Sequence, residues 1–140
     1  MMLLVLVAFL AATPVQATGE AAVTAQLRVS PLAVALELSA GSVKIGGSIT
    51  ARVTTTNLGT TTLKSVAVRV RFQPVGLVAK GPVSTTLQQV KGGRSADASF
   101  KICAVLVGSY VVLAQATLDG VTVESPARLL VVVEGRPAKC

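Results

Sequence analysis

From Ser48 to Thr56 the chain reads SITARVTTT, with Ile49, Ala51, Val53 and Thr55 at every second position and polar residues between them. A period of two is the mark of a half-buried β-strand, because successive side chains leave opposite faces of the backbone. Asn57-Leu58-Gly59 then reads as a turn, Asn and Gly being the residues that tolerate positive φ. Alternation resumes from Lys64 to Phe72, with Val66, Val68, Val70 and Phe72 inward and Ala67, Arg69 and Arg71 outward. The two segments either form a hairpin or face each other across two sheets.

The same grammar continues to the end. Gln73 to Val83 holds Pro74, Gly76, Gly81 and Pro82 and reads as a loop or short edge strand. Leu87 to Val90 predicts a brief strand, Gly92-Gly93 a hairpin turn, and Ala96, Ala98, Phe100 and Ile102 a further strand. Gly108 opens a strand in which Tyr110, Val112, Ala114 and Ala116 share a side, and Asp119-Gly120 is another turn signal. Tyr110 is expected in the core, its hydroxyl bonded to backbone near a sandwich corner. Ala127 to Glu134 closes the domain and Leu32 to Ser39 opens it. About seven to eight short strands, with no helical period between them, predict an all-β immunoglobulin-like sandwich, with a closed barrel as the alternative.

The first seventeen residues, MMLLVLVAFLAATPVQA, differ in kind. They are apolar from Met1 to Ala12 and end in the small-residue pattern Val15-Gln16-Ala17, as a secretory signal peptide does, although no Lys or Arg lies near their start. The run is shorter than the roughly 18 residues that span a bilayer. The expected organisation is therefore a signal peptide at 1–17, an N-terminal segment or first strand at 18–31, the sandwich at 32–135 and a tail at 136–140. Retention of the leader as an anchor, or its burial as a first strand, is the alternative. The mature chain is expected outside the cell or in the cell envelope, with no membrane span.

Composition narrows the chemistry. The chain is 51% hydrophobic but 3% aromatic, so its core must be aliphatic. There is no His, which removes the usual general base, the commonest metal ligand and every Ser-His or Cys-His arrangement. The acids Glu20, Glu37, Asp97, Asp119, Glu124 and Glu134 stand singly, and Lys64 and Ser65 are strand neighbours whose side chains point apart. No enzyme, cofactor or metal site is expected. The net charge of +7, from 13 basic and 6 acidic residues, favours anionic surroundings, yet the cations are scattered rather than gathered in a nucleic-acid arm. Cys103 and Cys140 can pair in an oxidising compartment. A clamp within the chain, a linked dimer and two free thiols are all open.

Four segments, in order, carry a resemblance: Gly46-Gly47 before SITARVTTTNLG, then LKSVAVRVRF, then VKGGRSADASFKI, then GSYVVLAQATLDG. With their flanking strands they cover about Leu32 to Val133, and their order resembles the cell-adhesion-related (CARDB-like) immunoglobulin-like domains of bacteria and archaea and relatives appended to extracellular glycosidases. The resemblance implies a sandwich acting as a spacer, adhesion or accessory module, with no shared catalytic residues.

One surface exceeds a plain soluble exterior. If Tyr110, Val112 and Ala114 face in, Val111 and Leu113 face out; if Ala127, Leu129, Val131 and Val133 face in, Leu130 and Val132 face out. The expected interface is Val111, Leu113, Leu130 and Val132, with Arg69 and Arg71 at its rim. It would serve association with a protein partner or with a second copy, unless a loop or the segment Val23 to Val29 covers it. The alternative readings are an accessory module for anionic polysaccharide and a subunit of a surface assembly linked through Cys140.

Overall fold

The computed structural model describes residues 30–136 and 140. The expected leader, residues 18–29 and most of the tail lie outside them. Among the described residues there are ten strands: β1 Leu32–Leu38, β2 Ser42–Lys44, β3 Ser48–Asn57, β4 Leu63–Gln73, β5 Leu77–Ala79, β6 Ser84–Val90, β7 Ser95–Ala104, β8 Gly108–Leu118, β9 Val121–Glu124 and β10 Arg128–Val133. They make two sheets, the first ordered β1-β3-β7-β5 and the second β2-β10-β8-β4-β6, with β9 on β8. β2 pairs with β10 in parallel and the other pairings are antiparallel. The fold is an immunoglobulin-like β-sandwich.

Period-two burial builds the core. Ile49, Ala51, Val53 and Thr55 of β3, Val66, Val68 and Val70 of β4, and Tyr110, Val112, Ala114 and Ala116 of β8 are all buried between the sheets. Ala51, Ala114 and Ala116 are fully enclosed, so small side chains alternate with Val, Leu and Ile and let an aromatic-poor core close. Tyr110 is buried and its hydroxyl donates to the Leu106 carbonyl at 2.8 Å, the corner contact expected of it. Gly76 lies against the same ring at φ 153°, and a Cβ there would overlap the Tyr110 hydroxyl.

One open choice is decided and two local expectations need correction. β3 and β4 lie in facing sheets, which decides between the two arrangements their spacing allowed. Gly92-Gly93 is not a hairpin turn, because β6 belongs to the second sheet and β7 to the first; the turn carries the chain across the sandwich. Asn57 is not a positive-φ turn residue. It ends β3 fully buried, with Nδ2 donating to the Thr61 and Val90 carbonyls and Oδ1 accepting from the Gly59 N–H, so a polar side chain ties two loops to the core edge.

Candidate protein-interaction face

The outer face of the second sheet is set by where β8 meets its last partner. Gln115 pairs with Glu124 of β9, and Val112 pairs with Arg128 of β10. Three steps along β8 thus oppose four steps from Glu124 to Arg128. One extra residue is inserted around Ser125-Pro126-Ala127, which is a β-bulge. Ser125 holds it: its N–H donates to the Ala114 carbonyl, and its Oγ accepts from the Ala114 N–H, both at 2.9 Å.

An inserted residue reverses which side chains of a strand face the core. Ser125, an odd-numbered position, is buried above the bulge; below it the even-numbered positions are buried. The expected outward placement of Leu130 and Val132 is therefore wrong. They are 0% and 1% exposed, packed in the core, while Leu129 is 60% and Val133 42% exposed. Val131, between them, is partly exposed. Replacing Leu130 and Val132 by Leu129 and Val131 leaves the rest of the expected surface in place. Leu129 pairs directly with Val111, and Leu113 pairs with Arg71. Val111 is exposed and Leu113 half-buried, so an apolar strip crosses β10 and β8.

The arginines on β4 border this strip and differ in their freedom. Arg69 pairs with Gln115 in the ladder, and its Nε donates to Gln115 Oε1 at 2.7 Å; Gln115 Nε2 in turn donates to Glu124 Oε2 at 2.6 Å. Arg69 is thereby held by a side-chain chain across three strands. Arg71 is exposed and has no hydrogen bond or ion pair to another described residue. Arg128 turns away from the strip, its Nε donating to the Leu36 carbonyl of β1 at 3.0 Å.

Cys103 and Cys140 form a disulfide within the chain, with Cα atoms 6.1 Å apart and a sequence separation of 37. Cys103 is buried on β7. In the chain-entropy account, closing a loop of that length stabilises the fold by about 3–4 kcal/mol. Among the described residues no group of acids and cysteines is arranged to hold a metal ion.

No protein-family model and no curated protein matches the chain. Solved structures do. The CARDB domain of a Pyrococcus furiosus protein is similar in its solution NMR structure (TM-score 0.55, 16% identity) and in a crystal structure described as a complex with di-metal ions (TM-score 0.58, 19% identity). Each match covers 74% of this chain and 94% of that domain. The cupredoxin domain of amoB from Nitrosocaldus yellowstonii matches with a TM-score of 0.55 and 12% identity, over 82% of this chain and 94% of that one. At such identities the likeness is one of fold: the chain is a β-sandwich module with a CARDB-like fold.

Proposed function

We propose that the chain is an exported, non-catalytic adhesion or structural module that binds another protein through the outer face of β10, β8 and β4. The observation that carries this reading is the apolar strip of Leu129, Val131, Val111 and Leu113 beside Arg71, whose guanidinium pairs with no other described residue. Exposed aliphatic side chains in a row, rimmed by a cation free to pair, have the composition of a contact surface. The charge argues for a different protein rather than a second copy. A symmetric pairing of this face would bring Arg69 and Arg71 of two +7 chains together. A partner with carboxylates around an apolar patch would complement it.

The polysaccharide reading is weaker on this surface. Phe100 and Tyr110 are buried in the core and Phe72 packs against it, so among the described residues no aromatic ring is offered for stacking a sugar.

A photo-crosslinking residue in place of Val111, in the organism that makes the protein, tests the proposal. One discrete adduct is expected, lost when Leu129 is changed to Arg in the same chain. A ladder of self-adducts, or no adduct, would remove it.

A further inference from the structure

The two flanks of the sandwich are finished differently. On one, Arg128 caps the outer edge of β1 at the Leu36 carbonyl. On the other, β5 pairs only with Ile102 to Ala104 of β7, and the Lys80 N–H adds one bond to the Lys101 carbonyl at 2.8 Å. Gly81-Pro82 then ends this lane, and the chain joins the second sheet as β6.

Backbone direction alternates along a strand, so two bonds fix the rest of β7. The Arg94 carbonyl accepts from Asn57 on the β3 side, and the Lys101 carbonyl accepts from Lys80 on the β5 side. Odd-numbered residues of β7 therefore direct their main-chain groups toward β5. Beyond Lys101 those are Ser99, Asp97 and Ser95, and among the described residues no strand lies opposite them.

A cleft of about 340 Å³ runs along this vacant lane, between the edges of β7 and β6. Leu87, Ala98 and Phe100 give it an apolar wall, and Lys80 and Lys101 stand at one end. Asp97 is already committed, its carboxylate taking bonds from Arg52 and Thr54. β6, reading STTLQQV, carries no charge. Exposed edges are ordinarily blunted by charge, proline or cover; here the charges and the proline gather at the Lys80–Pro82 and Lys101 end, and between Ser95 and Ser99 the one charge, Asp97, is already paired.

We propose that this lane is a strand-addition site for an extended peptide segment of a partner protein. The segment carries aliphatic side chains at alternate positions and a carboxylate at the end beside Lys80 and Lys101. Main-chain bonds to Ser95, Asp97 and Ser99 supply affinity, and every second side chain enters the cleft to supply selectivity. The stretch from Ser95 to Ser99 accommodates about 17 Å of strand. This site lies on a flank, apart from the Val111 and Leu129 strip, so either reading can fail without the other.

The test titrates the isotope-labelled full chain with the end-blocked peptide Glu-Val-Thr-Val-Thr-Val-Thr, and with the same peptide N-methylated at its threonines, whose N–H groups face β7 when the valines enter the cleft. Amide exchange at Ser95, Asp97 and Ser99 is expected to slow by about tenfold or more with the first peptide and not with the second. Ser99→Pro removes an edge N–H without touching the β3 ladder, and Lys101→Glu reverses the end charge; each is expected to weaken binding by about tenfold. Should Ser99→Pro not fold, Lys101→Glu decides alone. Unchanged exchange at these three amides overturns the proposal. So does protection appearing only at Val111 and Leu113, or protection that grows with protein concentration without peptide, which would mean that a second copy fills the lane.

Discussion

Ser125 and Ala114 are joined by two hydrogen bonds of 2.9 Å, one from the Ser125 N–H to the Ala114 carbonyl and one from the Ala114 N–H to the Ser125 hydroxyl. A side-chain oxygen thus stands where a regular strand would present a carbonyl, and Pro126, which has no N–H, follows. Ser125→Ala leaves the buried Ala114 N–H without its acceptor. The expected loss is about 1–2 kcal/mol in urea unfolding. An unchanged midpoint would mean that the hydroxyl does not hold the bulge.

Asn57 makes the most demanding polar contacts of the core edge. Its Nδ2 faces two carbonyls at 2.7 and 2.9 Å, one of them buried. Asn57→Asp turns both donors into lone pairs aimed at those oxygens, and a loss of about 3 kcal/mol is expected at neutral pH by thermal or urea unfolding. A loss below the effect of Ser125→Ala would contradict this account of Asn57.

Thr55 is a case of the opposite sign. It is fully buried and its Oγ1 has no hydrogen-bond partner among the described residues. Val is nearly its shape without the hydroxyl, so Thr55→Val is expected to raise stability by about 1 kcal/mol. A destabilised Thr55→Val chain would show that the hydroxyl is satisfied in solution.

The outer face of the first sheet carries an ion pair, Arg52 with Asp97 at 2.6 Å. Hydrogen bonds from Arg52 first and Thr54 second hold the Asp97 carboxyl below its ordinary value of 3.8. Folded Asp97 therefore takes up a proton less readily than unfolded Asp97. The contribution is complete above the unfolded value, near pH 4, and fades as pH falls through the lower folded value. Both groups are exposed, so the effect is small and weakened by salt. Unfolding followed from about pH 5 to about pH 2 at low salt should show the native chain losing more stability than Asp97→Asn. Parallel curves would contradict the pairing.

Much of this fold is legible without coordinates. In β3, β4 and β7 one face is largely apolar and the other polar, so the period names the core directly; in β8 the Gly108 start and the Asp119-Gly120 turn frame a strand whose Tyr110 could be assigned to the core with its corner bond. β2 and β5 are too short to show a period. β10 failed for a different reason. Its sequence RLLVVV is apolar on both faces, so alternation cannot choose between them, and the odd-numbered parity of Val121, Val123 and Ser125 extends falsely through Pro126. The proline inside an otherwise strand-like run was the available sign of a bulge. Asn57 misled through its neighbours: Asn-Leu-Gly has turn composition, and only the facing carbonyls of Thr61, in the loop that follows, and Val90, in the other sheet, reveal its buried role.

Leu129 and Leu130 are adjacent in β10, and the whole account assigns one to the partner and the other to the core. Paired Leu129→Ser and Leu130→Ser chains, each assayed for unfolding and for the Val111 crosslink, separate the two assignments. The expected result is that Leu129→Ser keeps its unfolding midpoint and loses the crosslink, while Leu130→Ser loses about 3–5 kcal/mol of stability. A stable Leu130→Ser chain beside a collapsed Leu129→Ser chain would reverse the face of β10 and contradict the interface.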